Sequence, residues 1–193
     1  AFASQASNLD PFFDDNGFQD IFLYELKTKV ITRVLGFSQT GTPNGPSTNP
    51  AISANGRYVV FESDADDLAS EPGDFNGFSD IYLYDRDNHG FDLQVISLDE
   101  MGFGTVNGPS YTPDISGNGS KIVFVSEADN LSSADTDRLP DIYLFDRDSF
   151  QLQLVSISTG GEKGDGASRN PKISADGRYI TFESIATNLD PSD

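Results

Sequence analysis

The residues best suited to chemistry are acids and amides at alternating positions, each set placed just before an apolar run. "DDNGFQDIFLY" puts Asp14, Asn16 and Asp20 in the pattern D-x-N-G-x-x-D, and "DFNGFSDIYLY" repeats it with Asp74, Asn76 and Asp80. "DTDRLPDIYLF" keeps Asp135, Asp137 and Asp141 but has Arg138 where the others have glycine. Calcium takes roughly 6 to 8 oxygen ligands from carboxylates, amides, carbonyls and water, and hard oxygen donors select it over zinc. Gly17 and Gly77 permit the bend that would let backbone carbonyls join such a set. Two readings stand side by side: a calcium-stiffened loop, or a plain turn in which Asp and Asn bond their own backbone. The spacing is not that of an EF-hand loop. Arg138 is expected to neutralise the third set, which makes Asp135, Asp137 and Asp141 the weaker metal candidates. A fourth loop is cut at Asp193, which aligns with Asp14.

Other chemistry is sparse, and no catalytic residue is assigned. The single His, His89, lies in the polar stretch "DRDNHGFD", where a solvated turn residue is the expected reading. Without a second His or any Cys, the familiar His/Cys zinc sites and Cys–His nucleophiles are excluded. No G-x-S-x-G elbow occurs. Glu62 and Glu183 share one repeat position, where Val125 stands in another unit. A glycosidase pair would need carboxyls roughly 5 to 9.5 Å apart, but repeat-equivalent residues in separate units point instead to a structural role.

The elements that carry these loops are written as a repeat. A turn-to-strand block reads "NPAISANGRYVVFES" from Asn49, "TPDISGNGSKIVFVS" from Thr112 and "NPKISADGRYITFES" from Asn170; the chain opens on its end, "AFAS". An S-x-A-x-[ND]-L loop follows, with Asn8, Asp67, Asn130 or Asn188 expected to cap a turn. Then come an acidic loop, a D-I-aromatic-L-aromatic strand, and a last strand such as "KVITRV". Pro50, Pro113 and Pro171 mark a period of about 60 residues. Each unit thus offers four strands, A to D. Asn55-Gly56, Asn118-Gly119 and Asp176-Gly177 predict tight A–B hairpins, because these pairs accept positive φ. Strand A is expected to be short, as in Pro50 to Ser53, and no stretch shows helical periodicity. "YVVFE" and "IYLYD" are apolar on both alternating faces, so both faces of the sheet should be buried. Four-stranded antiparallel blades stacked face to face meet that demand; a two-sheet sandwich does not predict a whole-unit repeat.

"NPAISANGRYVVFES…SDIYLYD" and "NPKISADGRYITFES" resemble the WD-like β-propeller repeat of TolB-type proteins, over nearly the whole chain. The resemblance implies an all-β propeller, commonly bacterial, in a periplasmic, secreted or surface-attached setting. It implies no single activity, since such propellers serve as binding platforms and as accessory domains. The expected organisation is one propeller piece over 1–193, with repeats at about 1–48, 49–111, 112–169 and 170–193, the first and last incomplete. Propellers close with roughly 4 to 8 blades, and about three blades per chain make only a partial ring. A head-to-tail homodimer completing a six-bladed ring is one expectation, and a fragment of a longer propeller is the other. The start "AFASQ", without Met, reads as a processed or excised piece.

Composition narrows the partners. Twelve Lys and Arg stand against 31 Asp and Glu, a formal charge of −19. Such a field repels nucleic acid and anionic head groups. No apolar run approaches the roughly 20 residues of a membrane span, so membrane insertion is not expected. The reading is a non-catalytic binding or scaffolding propeller outside the cytoplasm, with a protein or glycan partner and calcium as the candidate cofactor. The alternative is an accessory propeller of a secreted glycosidase or peptidase whose catalytic residues lie elsewhere. Phe12, Phe13, Phe18 and Phe78, close to the acidic loops, could form a partner surface if contiguous.

Overall fold

The computed structural model describes residues 1–9, 16–34, 43–69, 76–88, 93–100, 102 and 106–190. Its strands form four antiparallel sheets in chain order. Blade 1 holds β1 (Phe2–Ser4), β2 (Asp20–Glu25) and β3 (Val30–Arg33). Blade 2 holds β4 (Ser47–Ile52), β5 (Tyr58–Ser63), β6 (Asp80–Asp85) and β7 (Leu93–Val95). Blade 3 holds β8 (Ser110–Ile115), β9 (Lys121–Ser126), β10 (Asp141–Asp146) and β11 (Gln151–Leu154), and blade 4 pairs β12 (Ser168–Ile173) with β13 (Ile180–Ser184). The described helical content is one 3₁₀ turn, Arg86–Asn88. The all-β propeller architecture expected from the repeat is present, as a partial ring.

Burial on both faces follows from the sequence pattern. On β5, Val59 and Phe61 pack toward Ile21 and Val34 of blade 1, while Val60 packs with Ile122 and Phe124 of blade 3. Alternate side chains of one strand therefore feed two separate cores, each sealed between neighbouring blades. An aromatic pair recurs across strands B and C: Phe2–Phe22, Phe61–Tyr82 and Phe124–Tyr143, stacked at 5.7, 5.8 and 5.9 Å.

Strand A is longer than its sequence suggests. It begins at Ser47, Ser110 and Ser168, and its pairing with strand B slips across a bulge at Thr48/Ala51 and its equivalents. Asn49, Thr112 and Asn170 adopt φ of 49°, 50° and 54° there. A left-handed residue before proline is how the chain absorbs the extra residue and continues the ladder. Beyond the bulge, Gly56, Gly119 and Gly177 supply positive φ in the A–B turns, as the Asn-Gly and Asp-Gly pairs predict.

Blades are joined by backbone as well as by apolar packing. Ser47, Ser110 and Ser168 donate their N–H to Gln19, Ser79 and Pro140 of the preceding blade, each at 2.7 Å. The A–B turns form a relay: Ala54 N–H donates to Gly117 C=O, and Gly117 N–H donates to Ala175 C=O, both at 2.9 Å.

Candidate metal centre

Each strand C begins with an aspartate that is completely buried: Asp20, Asp80 and Asp141. A buried carboxylate needs partners that replace water; blades 2 and 3 share a serine on Oδ1, and the partner facing Oδ2 differs in each blade. In blade 1, Arg33 lies 3.3 Å from Asp20 Oδ2. In blade 2, Ser97 Oγ donates to Asp80 Oδ1 at 2.5 Å and Asn76 Nδ2 donates to Oδ2 at 2.8 Å. In blade 3, Ser156 Oγ donates to Asp141 Oδ1 at 2.6 Å, while Lys163 Nζ lies 2.8 Å from Oδ2.

The amide or acid two positions after the loop's first Asp makes a turn in all three blades. Asn16, Asn76 and Asp137 accept the N–H of Phe18, Phe78 and Leu139 at 2.7, 2.6 and 2.9 Å. Asn16 also donates to Pro43 C=O at 2.8 Å. Asp14 and Asp74, like Asp193 and His89, lie outside the described residues, as do Phe12 and Phe13. Phe18 and Phe78 are 39% and 38% exposed.

Among the described residues, the three weaker metal candidates of the sequence are acids that converge. Asp135, Asp137 and Asp141 bring carboxylate oxygens within 4.8 Å of one another, a cluster able to hold a metal ion. Asp135 and Asp141 are buried, and Tyr143 Oη donates to Asp135 Oδ2 at 2.7 Å. The arginine expected to neutralise them does not: Arg138 Nε lies 3.2 Å from Asp129 instead. The neutralising group is Lys163, from the connection between blades 3 and 4. Its Nζ lies 3.0 Å from Asp137 Oδ1 and 3.8 Å from Asp135 Oδ1. Burial pushes the Asp141 carboxyl up, and Lys163 and Ser156 only partly oppose it. Burial acts the same way on Asp137, but the Leu139 N–H and Lys163 outweigh it and hold that carboxyl low. Lys163 is itself raised: burial disfavours its charge, and the bonds to Asp141 and Asp137 more than compensate. The sequence offered no local signal for Lys163, because it joins the cluster only through tertiary contact.

Two other residue groups have defined roles. Glu62 accepts from Thr48 Oγ1 and Asn49 Nδ2, both at 2.8 Å, and from Thr112 N–H of the next blade at 2.7 Å. Glu183 accepts from Asn170 Nδ2 at 2.9 Å. Both therefore clasp the left-handed Asn of the bulge. The S-x-A-x-[ND]-L residues reach further than a local cap: Asp67, Asn130 and Asn188 accept the N–H of Asn44, Asn107 and Asp165, at 3.1, 3.0 and 3.0 Å. Each bond staples the B–C loop to the loop that leads into strand A of the same blade.

No family model matches the chain, and no curated protein matches it in sequence. A putative TolB from Agrobacterium tumefaciens superposes with a TM-score of 0.53 at 20% identity, over 90% of this chain and 53% of that one. The fold is TolB-like. The tricorn protease gives the same TM-score at 14% identity, over 89% of this chain and 14% of that protein. TolB from Acinetobacter baumannii aligns at 19% identity and a TM-score of 0.48, over 86% and 32%. The chain thus spans about a third to a half of these TolB proteins. Among the described residues of this TolB-like propeller, no helix is long and apolar enough to cross a membrane.

Proposed function

We propose that this chain is a non-catalytic binding or scaffolding propeller module acting outside the cytoplasm, with calcium stiffening its first two B–C loops. The observation that carries the reading is how the buried acids are used. Asp20 ties strand C to strand D, Asp80 ties strand C to the B–C loop, and Glu62 ties blade 2 to blade 3. Side chains committed to such bonds serve rigidity rather than proton transfer. Asn16 and Asn76 each hold the turn by accepting the N–H of Phe18 and Phe78 on an amide oxygen, the hard donor type that calcium takes.

A protein or glycan partner has a concave surface available. A cleft of about 610 Å³ lies between β7 and β11, with Ile96, Leu131, Phe145 and Leu152 on its walls and Asp99 and Glu100 beside them. A second copy of the chain is the partner we favour for the exposed face of blade 4, in a head-to-tail six-bladed ring. In blade 2, the Tyr58 ring receives Gly119 of the next A–B turn, with Arg57 and Arg147 over it at 4.9 and 4.1 Å. Blade 4 presents the same Arg178–Tyr179 platform with Tyr179 61% exposed.

Calcium titration of the melting temperature tests the loops. Binding to the native state alone must raise stability, so millimolar calcium should raise the melting point and Asp80→Ala should lose part of the rise. An unchanged melting point leaves only the turn reading. Light scattering tests the ring, and a strict monomer at high protein concentration overturns it.

A further inference from the structure

We infer that the Lys163 ammonium is the resident cation of the third acidic loop, occupying by covalent tether the place a divalent, oxygen-seeking ion would take. The dimensions fit. Calcium–oxygen distances of about 2.3–2.6 Å put ligands on opposite sides of an ion roughly 5 Å apart, and the oxygens of Asp135, Asp137 and Asp141 lie within 4.8 Å of one another. Lys163 Nζ sits among them at 3.8, 3.0 and 2.8 Å, all longer than calcium–oxygen bonds, the two shorter ones in the range of N–H donors. An ammonium has three donors; Asp137 and the Gly164 carbonyl (3.3 Å) accept hydrogen bonds from it, and Asp141 Oδ2 faces it at 2.8 Å as an ion pair. Its side chain is only 9% exposed, so it is aimed into the cluster and not merely near it.

The local backbone aims it. Ser156 accepts the Gly164 N–H and Ser158 donates to Glu162, so residues 156–164 close as a small hairpin through Gly161 at φ 83°. Ile157 and Lys163 form its bridge. The Lys163 carbonyl also accepts from Asn188 Nδ2 at 2.8 Å, so one residue ties the acidic loop of blade 3 to the corresponding loop of blade 4. In the loops before β4 and β8 the aligned residues are Thr42 and Thr105, which carry no charge. A tethered cation has no concentration dependence. The seam between blades 3 and 4 therefore keeps its order when free divalent ions are removed.

The test compares the full chain with Lys163→Met, Lys163→Arg and Lys163→Met/Asp141→Asn, by calorimetric calcium titration and by melting in calcium and in chelator. Lys163→Met should bind one more calcium ion than the unsubstituted chain, melt lower in chelator, and regain the difference in calcium. Lys163→Arg should gain no ion, and the double variant should lose the gained one. The inference is overturned if Lys163→Met takes up no additional ion, if it fails to fold even in calcium, or if Lys163→Arg gains the ion equally. The readout is a difference from the unsubstituted chain, so it stands apart from whether the first two loops bind calcium.

Discussion

At the scale of single residues, the bulge before each repeat-equivalent proline shows strain placed unequally. Asn tolerates the left-handed region because its short amide bonds locally, whereas a β-branched residue there is an outlier. Asn49 and Asn170 fit; Thr112, at φ 50°, does not, and its Oγ1 is buried without a hydrogen bond. Thr112→Asn should therefore stabilise the chain by about 1 kcal/mol, read as a higher urea midpoint with an unchanged slope. Its neighbour Tyr111 donates to Glu127 at 2.9 Å and accepts from Arg169 of blade 4. Burial, then the Glu127 carboxylate, pushes this phenol up to about 12. A free tyrosine titrates near about 10. The fold holds Tyr111 neutral, so its stabilising share is complete below about 10 and is lost as pH climbs through about 12. Alkaline unfolding should begin at lower pH in the native chain than the core alone would dictate, and Tyr111→Phe should flatten that part of the profile.

At the scale of elements, the turns and strands B and C were legible because their signals are local. "YVVFE" and "IYLYD" declare two buried faces, and Asn-Gly declares a hairpin. Strand A exceeds its sequence signal because its first half lies before a proline, on the far side of a bulge that breaks the pattern. The Oδ2 partners of Asp20, Asp80 and Asp141 are illegible for a different reason: Arg33 comes from strand D, Asn76 from the B–C loop, and Lys163 from the D–A connection. The repeat preserves the buried acid and, in blades 2 and 3, the serine on its Oδ1, but not the source of the partner facing Oδ2. The staple by Asp67, Asn130 and Asn188 had a signal that sequence reasoning missed, an Asn or Asp before glycine at a constant offset upstream. Turns of one sequence type also differ in what they touch. A Cβ on Gly119 would lie 2.2 Å from the Tyr58 ring, at φ 76°, whereas Gly56, at φ 69°, meets nothing nearer than Arg86 at 3.7 Å. Gly119→Ala should cost about 3 kcal/mol through clash and backbone strain together. Gly56→Ala should cost about 1–2 kcal/mol, from backbone conformation alone. Chemical denaturation of the two variants side by side measures the difference.

At the scale of the whole molecule, apolar seams work against a net charge of −19. Few of the acids have basic partners, since only 12 Lys and Arg are available, so their mutual repulsion opposes the compact state. Screening shortens to about 8 Å at physiological salt. Melting temperature should therefore rise as sodium chloride is added from low ionic strength, with no rise expected where Asp20 and Asp141 are concerned, because those charges are buried with their partners. A chain whose melting point falls with added salt would show that surface ion pairs outweigh the repulsion.

The relay from Ala54 through Gly117 to Ala175 has a bearing on ancestry. Gly117, in the middle turn, gives one hydrogen bond to the blade ahead and takes one from the blade behind. An additional copy of the unit, inserted by duplication of its coding segment, would find both bonds waiting and would leave no backbone group stranded. The seam is thus indifferent to how many units it joins. Blade number in such a lineage is free to change by whole copies, limited by the wedge shape of the blades rather than by their hydrogen bonding.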